Sequence, residues 1–301
     1  MFDFTFLGTS ASVPQTERNQ SGLLIAAAGK RILLDCGEGT QRQLRRSGVG
    51  FRRFHRLLLT HSHLDHILGI PGLLSTLGLQ PSNETMTVNG GARTLRVVAD
   101  MLAGLWGDGR APIPLELVAV TAGHRIDEGD FAIECFPVQH RDTDSFGFAF
   151  KAPARRHLLP ERLAELGVPD GKLRKELAEG RRVALGDGRI VDPEDVLGPS
   201  KQGAKLVVIG DAGTTAGIAE PARDADALVI EATFLERDAA IARTHGHLTA
   251  AEAATFATEA GARRLILTHI SGRYPAEEIL QEAKDIFPAT VVASDFERYL
   301  V

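Results

Sequence analysis

The chain is poor in cysteine, with only Cys36 and Cys135 among its 301 residues. Two cysteines cannot form the disulfide framework of a small secreted protein, so a reducing compartment is the simpler expectation. The sequence also has no apolar run long enough to cross a bilayer. Its start, MFDFTFLGTS, lacks a basic region followed by an apolar one. We therefore expect a cytoplasmic protein with no membrane partner, in which both cysteines pack in the interior.

An excess of positive charge is also missing, because 34 lysines and arginines stand against 39 acidic residues and give a net charge of -5. Taken alone, this balance argues against a polyanionic partner. One stretch without any acid nevertheless concentrates arginines: Arg42, Arg45, Arg46, Arg52, Arg53 and Arg56. This basic stretch is equally compatible with the steering of a phosphate backbone and with a solvated helix face.

Strand-like apolar runs alternate with helical segments along the chain. Ten runs are predicted as strands: Phe2–Leu7, Gly22–Ala28, Arg31–Asp35, Leu57–Thr60, Phe131–Pro137, Phe146–Lys151, Lys205–Gly210, Ala227–Ala232, Arg264–Thr268 and Thr290–Ala293. A capping box at Thr249-Ala250-Ala251-Glu252 predicts a helix over Thr249–Glu259. Pro275 suits the first turn of another helix, which runs to about Ile286. This α/β pattern predicts two sheets packed face to face, with helices outside.

Residues 154–202 depart from that pattern, being rich in charged residues, glycine and proline, with a short helix indicated at Pro160–Leu166. We interpret them as a surface insertion, an arm, in an otherwise single domain that spans residues 1–301. The composition fits a flexible loop as well as an arm that holds a substrate.

The strongest chemical signal is the stretch His61-Ser62-His63-Leu64-Asp65-His66, directly after the apolar run Leu57–Thr60. A strand that ends in such a loop turns several nitrogen and oxygen donors toward one point. Histidine and aspartate together suit zinc or a similar divalent ion. His61 and His63 can bind one metal and Asp65 and His66 a second, so the spacing predicts a two-metal hydrolase.

Three further candidate ligands each follow an apolar run: His140, Asp211 and His269. Ends of rigid strands can hold ligands with little positional freedom. We predict that His61, His63 and His140 bind one ion, that Asp65, His66 and His269 bind the other, and that Asp211 bridges them.

Asp65, Glu231 and His247 are the predicted catalytic residues. Asp65 is placed to orient an attacking water and accept its proton. A carboxylate such as Glu231 that holds the imidazolium of His247 can protonate the leaving oxygen of a phosphodiester. Asp35 is predicted to hydrogen-bond a ligand histidine, although closure of a turn before Gly37 explains this residue equally well.

These residues, in this order along the chain, resemble those of the tRNase Z family, which belongs to the metallo-β-lactamase superfamily. Members of the tRNase Z family are endonucleases that remove 3′ trailers from precursor tRNA. The likeness runs nearly from end to end of the chain. The matching segments include Phe6–Ser10, Pro14, Arg18-Asn19, Asp35–Gln41, the histidine cluster, His140, Gly210-Asp211, Glu231–Thr233, His247 with Thr249, Thr268–Tyr274 and Ala293–Phe296. The histidine cluster identifies only the superfamily, whereas Glu231, His247 and the final His-to-Tyr segment point to tRNase Z.

The resemblance implies a four-layer αββα sandwich with an inserted arm. It also implies two zinc ions, with Mn²⁺ or another divalent ion as an alternative, and hydrolysis that leaves a 3′-hydroxyl on the tRNA. It further implies a homodimer, in which the arm of one subunit grips precursor tRNA at the other's site. It makes Asp65 the catalytic aspartate and Glu231 with His247 the proton-donating pair. The residues expected to bind substrate are Arg18, Asn19, Lys172, Arg174, Lys175 and Arg273.

This sequence departs from the family's pattern at three places. Thr16 replaces the lysine of a loop that usually reads Pro-x-Lys-x-Arg-Asn, and Ile230 precedes Glu231 where the family has histidine. The arm lacks the usual Gly-Pro motif around Gly167–Leu173. Two alternatives therefore stay open: a related phosphodiesterase or other metallohydrolase with a small substrate, and an RNA-binding protein that keeps the fold without catalysis.

Overall fold

Two seven-stranded β-sheets with helices on their outer faces form the larger of two units. The computed structural model describes residues 1–51, 54–79, 85–107 and 111–301. The larger unit comprises Met1–Lys151 and Ala204–Val301, and the smaller one is Ala152–Gly203. The smaller unit, which contains the arm residues 154–202, is therefore an insertion in the sequence of the larger one.

The described residues form 18 strands and 11 α-helices. The strands are β1 (Asp3–Gly8), β2 (Gly22–Ala27), β3 (Lys30–Leu34), β4 (Phe54–Leu58), β5 (Met86–Gly90), β6 (Leu115–Ala119), β7 (Arg125–Asp127), β8 (Ala132–Val138), β9 (Ser145–Lys151), β10 (Arg155–Leu158), β11 (Val183–Ala184), β12 (Ile190–Val191), β13 (Leu197–Lys201), β14 (Lys205–Val208), β15 (Ala227–Glu231), β16 (Leu265–Thr268), β17 (Thr290–Val292) and β18 (Arg298–Leu300). The helices are α1 (Thr40–Arg46), α2 (Leu64–Ile67), α3 (Ile70–Leu77), α4 (Ala92–Trp106), α5 (Pro160–Glu165), α6 (Lys172–Ala178), α7 (Pro193–Val196), α8 (Ala219–Ala222), α9 (Ala239–His245), α10 (Ala250–Glu259) and α11 (Ala276–Lys284).

The two large sheets are both mixed. The first has the order β18-β1-β2-β3-β4-β5-β6 and is parallel from β3 to β6. The second has the order β17-β16-β15-β14-β9-β8-β7 and is parallel from β14 to β17. Strand β8 is antiparallel to β9, which is antiparallel to β14, so β8 runs in the same direction as β14. The carboxyl ends of β8, β14, β15 and β16 therefore lie at one edge of the second sheet.

Each sheet buries one face against helices and the other against its partner sheet. Leu33 and Leu57 of the first sheet pack with Leu44 of α1 and Leu73 of α3 in one apolar cluster. The outer face of the second sheet forms a similar cluster with α8 to α11. The facing sides meet at aromatic contacts, such as the rings of Phe2 and Phe150, 6.0 Å apart between centroids. The layer order is helices, sheet, sheet, helices, which is the expected αββα sandwich.

All ten predicted strand runs coincide with strands of the structure, with ends shifted by no more than three residues. The capping box predicted at Thr249 is present: its hydroxyl accepts from the Glu252 amide, and the Glu252 carboxylate accepts from the Thr249 amide. The helix predicted from Pro275 is also confirmed, although it ends at Lys284, two residues earlier than expected. Strands β5, β6, β7 and β18 and the long helix α4 were not predicted.

The basic stretch is only partly available to a phosphate backbone. Arg42, Arg45 and Arg46 lie exposed on α1. Arg56 instead donates to the buried carboxylate of Glu128, at 2.7 Å, which also accepts from Lys30 and contacts His55. Arg52 and Arg53 lie outside the described residues. Both interpretations of the basic stretch, phosphate steering and a solvated helix face, therefore apply to the three arginines of α1 and not to Arg56.

The smaller unit has its own apolar core. Strands β10 and β13 pair with each other, as do β11 and β12, and α5 to α7 complete the unit. Seven buried side chains form the core: Leu163, Val168, Leu177, Val183, Leu185, Val191 and Val196. The short helix predicted at Pro160–Leu166 is present as α5. The inserted segment is therefore folded, whereas its composition was also compatible with a flexible loop.

Two expectations about composition can be compared with the structure. Cys36 and Cys135 are both free and buried, and burial raises the pKa of each thiol to about 12. Among the helices of the described residues, we find none with the length and apolar character needed to cross a membrane.

Thr249 gives a test of how helix capping contributes to stability. Its buried hydroxyl accepts from the Glu252 amide and donates to Glu236 at 2.7 Å. Loss of an N-cap side chain typically costs about 1 kcal/mol. We expect Thr249→Ala to lower the free energy of unfolding in urea by roughly 1–2 kcal/mol, and Thr249→Ser to retain most of it. Equal stability of the alanine variant and the wild type would contradict this role.

Candidate metal centre

The predicted ligands lie where strands of both sheets end. His61, His63, Asp65 and His66 occupy the loop after β4 and the short helix α2. On the second sheet, His140, Asp211 and His269 follow the carboxyl ends of β8, β14 and β16. The structure therefore brings together, at facing edges of the two sheets, seven donors that are as far apart in sequence as His61 and His269.

Three imidazoles and one carboxylate form the first donor set: His61, His63, His140 and Asp211. The Nδ1 atom of His63 lies 2.9 Å from Nε2 of His61 and 3.2 Å from Nε2 of His140. Oδ2 of Asp211 is 3.7 Å from each of these Nε2 atoms.

The second donor set consists of Asp65, His66 and His269. Oδ2 of Asp65 lies 3.3 Å from Nε2 of His269 and 3.6 Å from Nε2 of His66. The other carboxylate oxygen of Asp211, Oδ1, is 3.3 Å from both of these nitrogens. Asp211 therefore presents one oxygen to each set, as the geometry of a bridging ligand requires.

The spacing of the donors fits divalent ions. Four ligands placed tetrahedrally at typical zinc distances lie about 3.3 Å from one another. The distances within the two sets, from 2.9 to 3.7 Å, scatter around that value. Within the part of the chain that the structure describes, Nε2 of His66 and Oδ1 of Asp211 are buried without a hydrogen-bond partner. Since buried polar atoms are normally satisfied, these two atoms are suited to bind a cation.

Hydrogen bonds behind the ligands fix the protonation of the imidazoles. The Thr60 hydroxyl donates to Asp35 and can therefore accept from Nδ1 of His61, at 3.0 Å. His140 donates from Nδ1 to the Gly246 carbonyl at 2.7 Å. A proton on Nδ1 leaves the Nε2 lone pair free to face the centre. Both rings are thus held in the form that binds a metal.

The second donor set has the same arrangement. Nδ1 of His66 lies 2.8 Å from Oδ2 of Asp35, and Nδ1 of His269 lies 3.0 Å from the Thr233 hydroxyl. Asp35, expected to hydrogen-bond a ligand histidine, makes this contact and also accepts from the Thr60 amide. Such partners orient metal ligands and are a regular part of metal sites.

The sequence analysis missed Thr60, Thr233 and the Gly246 carbonyl as partners of ligand histidines. Thr60 directly precedes His61, and Thr233 lies two residues after Glu231. Their positions beside predicted site residues could have indicated this role. Gly246 gave none for this contact, because it meets His140 across 106 positions of sequence.

Close backbone contacts fix the loop that carries Asp65 and His66. A methyl group on Gly37 would lie 2.2 Å from the carbonyl oxygen of Asp65, and one on Gly69 would lie 2.1 Å from the carbonyl oxygen of Gly37. Only glycine permits such an approach without a shift of the backbone. These two glycines let the chain carrying the second donor set pass directly beside the end of β3.

The charges around the donors favour a cation. Burial, reinforced by neighbouring imidazoles, holds the pKa of His61 well below its usual value, and burial lowers that of His140 as well. His66 behaves oppositely: burial lowers its pKa, but Asp211, Asp65 and Asp35 outweigh burial and raise it well above the usual value. Neutral imidazoles beside carboxylates that stabilise positive charge are the donor set expected for a metal ion.

Glu231 and His247 form a buried ion pair next to the donors. Nδ1 of His247 lies 2.9 Å from Oε1 of Glu231 and 3.9 Å from Oδ2 of Asp211. The same Glu231 oxygen accepts from the Ala212 amide at 2.7 Å, and the other oxygen accepts from Thr233. Burial lowers the pKa of His247, but the Glu231 carboxylate outweighs burial and raises it to about 9. His247 is therefore positively charged at neutral pH.

His247 also belongs to a third group of donors, with Asp211 and His269. The sequence analysis did not include His247 among the metal ligands. His245, by contrast, stacks on Phe234 with ring centroids 6.3 Å apart and is outside every donor group found in the described residues.

Arg18 and Asn19, expected to bind substrate, make hydrogen bonds within the fold. Arg18 donates to Oγ1 of Thr9 at 2.7 Å and to the Ala293 carbonyl. Asn19 donates from its side chain to the Glu38 carbonyl and from its amide to Asp295. Both residues also line a cavity of about 390 Å³, together with Arg42 and Arg46 of α1. They thus fix the loop that precedes β2 and line a polar cavity.

The remaining predicted substrate contacts differ in how freely they are exposed. Arg273 is exposed in the loop after His269. In the smaller unit, Arg174 is held by the Val168 carbonyl at 2.9 Å and by Asp170. The side chains of Lys172 and Lys175 are 87% and 77% exposed and make only long pairs of 3.8 and 4.0 Å with glutamates of α6 and its end. Of the three arm residues predicted to bind substrate, the two lysines are the more available to a phosphate.

Two family models match the chain. Residues 2–154 match a model described as Anti-Pycsar protein Apyc1, and residues 177–270 match one described as Beta-lactamase superfamily domain. Among solved structures, human tRNase Z, short form, is similar with a TM-score of 0.69 and 27% identity, covering 99% of both chains. The fold is also that of the metallo-β-lactamase fold protein YhfI from Bacillus subtilis, with a TM-score of 0.73 over 99% of this chain and 98% of that one, at 19% identity.

Curated relatives are similar to this chain over all or nearly all of its length. Ribonuclease Z from Bradyrhizobium diazoefficiens is 66% identical over 100% of both chains. Ribonuclease Z from Gemmatimonas aurantiaca is 40% identical over 96% of this chain and 93% of its own. Identity of this extent, together with the two sheets and the donor sets at their edges, shows that the chain belongs to the ribonuclease Z family of the metallo-β-lactamase superfamily.

Proposed function

We propose that the protein is an endoribonuclease that hydrolyses the 3′ trailer from precursor tRNA and leaves a 3′-hydroxyl on the tRNA. The observation that carries this proposal is the Glu231–His247 ion pair beside the two donor sets, in a chain 66% identical to a ribonuclease Z over its whole length. The donors suit metal ions, and the ion pair suits protonation of an alkoxide leaving group, which a ribose 3′-oxygen is.

The two donor sets support a centre of two zinc ions, with Mn²⁺ as an alternative. His61, His63 and His140 would hold one ion and Asp65, His66 and His269 the other, with Asp211 between them. When bound, such ions lower the pKa of a water and offset the charge of a phosphodiester. Imidazole and carboxylate donors are typical of zinc.

Asp65 is proposed to orient the attacking water and to accept its proton. Its Oδ2 atom is held by the Ser12 amide at 3.0 Å. Burial alone raises the pKa of Asp65, but His66 and His269 outweigh burial and hold it well below its usual value. The carboxylate is therefore ionised at neutral pH and available as a proton acceptor.

Glu231 and His247 are proposed to supply the proton on the other side of the reaction. The attacking oxygen forms a bond to phosphorus while the bond from phosphorus to the 3′-oxygen breaks. The imidazolium of His247 gives its proton to that 3′-oxygen, and the trailer keeps the phosphate. Glu231, fixed by the Ala212 amide and the Thr233 hydroxyl, holds His247 in its charged form.

Contacts to the body of the tRNA are assigned to basic residues away from the donors. Arg18 and Asn19 contribute through the cavity that they line, Arg273 through the loop after His269, and Lys172, Arg174 and Lys175 through α6 of the arm. The homodimer and the cytoplasmic location expected from the sequence stay predictions.

The first test is incubation of the zinc-loaded protein with a 3′-extended precursor tRNA and mapping of both new ends. We expect one cut after the discriminator base, with a 3′-hydroxyl on the tRNA. Asp65→Ala should lower the rate of this cleavage by roughly 10²- to 10⁴-fold, the usual contribution of general acid–base groups, and leave tRNA binding largely intact. Full activity of that variant would contradict the mechanism. Turnover of a small phosphodiester without competition by tRNA would favour the small-substrate alternative.

The pH profile tests the proton-donating pair. His247 must be protonated to act, and its pKa is raised to about 9, so kcat/KM should fall as the pH rises through about 9. In Glu231→Gln the carboxylate that raises this pKa is gone and burial lowers it, so the descending limb should move to lower pH. An unchanged descending limb in the glutamine variant would rule out this role of Glu231.

A substrate with a good leaving group separates proton donation from other roles of His247. His247→Ala should lose roughly 10²-fold or more on precursor tRNA. It should lose much less on bis(p-nitrophenyl) phosphate, because p-nitrophenolate leaves without a proton. Equal losses on both substrates would show that His247 acts on the metal centre instead.

The arm lysines can be tested without touching the centre. Lys172→Ala combined with Lys175→Ala should weaken binding of precursor tRNA and reduce the dependence of log Kd on log salt by about two, one for each phosphate contact. Turnover of bis(p-nitrophenyl) phosphate should not change. Arg182→Ala, whose side chain pairs with Asp192 at 2.7 Å in the same unit, is the matched control. A double variant that binds like this control would remove the lysines from the interface.

A further inference from the structure

Arg141, the residue after the ligand His140, has a backbone conformation that arginine rarely adopts. Its φ is +46°, in the left-handed region. For a residue other than glycine, asparagine or aspartate, this region is uncommon because the side chain crowds the backbone. Glycine would adopt this conformation freely. Strain of this kind concentrates at functional sites, so the side chain at this position calls for a role.

The guanidinium group of Arg141 has no partner among the residues that the structure describes. The residue is exposed, and within the described ranges its side chain makes no hydrogen bond or ion pair. The neighbouring carboxylate of Asp144 is already engaged, since it accepts from the Thr94 hydroxyl and from the amides of Arg93 and Thr94 at the start of α4. Within the described residues, Arg141 therefore forms no ion pair with Asp144.

The aliphatic part of Arg141 crosses Gly246. A methyl group on Gly246 would lie 2.7 Å from Cγ and 3.6 Å from Cδ of Arg141. The Gly246 carbonyl is the group that accepts from Nδ1 of His140, and the next residue is His247. The arginine stem thus lies against the glycine whose carbonyl binds Nδ1 of His140, the ring nitrogen opposite the donor atom Nε2.

This placement suits a phosphate next to the scissile one. Resting on the proposed function, we propose that Arg141 binds a flanking phosphate of the RNA and thereby positions the scissile phosphate at the donor sets. An arginine fork binds a phosphate through two parallel hydrogen bonds. Because the contact with Gly246 is on the Nδ1 side of His140, Arg141 is suited to a neighbouring phosphate rather than to the reacting one. Arg141 is accordingly a positioning residue.

The left-handed backbone at Arg141 allows a variant that removes the side chain without loss of stability. Arg141→Gly removes the guanidinium and the strain together, so its melting temperature should be at or above that of the wild type. On precursor tRNA, kcat/KM should fall about tenfold, the equivalent of about 1.4 kcal/mol, mainly through KM. The slope of log kcat/KM against log salt should become shallower by about one. Turnover of bis(p-nitrophenyl) phosphate, which has no flanking phosphate, and the metal content should stay unchanged.

Three further variants complete the experiment. Arg141→Lys keeps the charge but loses the fork, so its salt dependence should stay close to that of the wild type while kcat/KM is reduced by only part of the loss seen in Arg141→Gly. Ala28→Gly relieves a similar backbone, with φ of +49°, in the turn between β2 and β3 and should leave activity unchanged. Arg96→Ala removes an exposed arginine of α4 that makes no ion pair within the described residues, and should have no effect on RNA.

Any of the following results would overturn the proposal. Cleavage of precursor by Arg141→Gly at the wild-type rate would show that the guanidinium does not touch RNA. An equal loss on the small diester, or a salt dependence in Arg141→Lys as shallow as in Arg141→Gly, would show that Arg141 acts only through the position of His140. Failure of the proposed function would appear in the wild type itself as absence of cleavage. The same variants would then be compared by binding of the uncleaved precursor, and a wild type that does not bind it would overturn both proposals.

Discussion

The mutual repulsion of the donor atoms is the constraint on which the rest of the structure depends. The Nε2 lone pairs of His61 and His140 both point at Nδ1 of His63 from about 3 Å, and two carboxylates lie beside them. Without a cation this arrangement is unfavourable, so the surrounding protein must hold it in place. The αββα frame does so by placing the ligands on the ends of strands that are buried on both faces. Thr60, Asp35, Thr233 and the Gly246 carbonyl then fix the rings from behind.

Much of this site could be predicted from the sequence because its ligands follow apolar runs. The histidine cluster is local in sequence, and the spacing of its histidines and aspartate by itself indicates a metal site. His140, Asp211 and His269 are far apart in the sequence. Their meeting was still predictable, since each follows an apolar run and strands running in the same direction end at the same edge of a sheet. Asp35 does contact an imidazole, that of His66 at 2.8 Å, although a turn-closing role explained its position in the sequence equally well.

Other features depend on tertiary contacts that no local pattern reveals. Strand β5 reads Met-Thr-Val-Asn-Gly, and its asparagine and glycine are poor strand formers. It forms because β4 and β6 pair with it on both sides. Helix α4 did carry a signal, with buried Leu95, Val98 and Leu102 at helical spacing. Arg18 both makes hydrogen bonds within the fold and lines the polar cavity. The first role was not predictable, because its partners Thr9 and Ala293 meet only in the folded chain.

The two ends of the inserted unit touch. A methyl group on Gly203 would lie 2.3 Å from the carbonyl oxygen of Ala152, so the chain leaves and returns at almost the same point. Between these ends the segment has a core of its own. For the frame, the insertion is a closed loop whose entropic cost grows only slowly with its length. Evolution can therefore lengthen, shorten or exchange this segment with little effect on the two sheets, so the surface of the insertion can change while the donor sets stay the same.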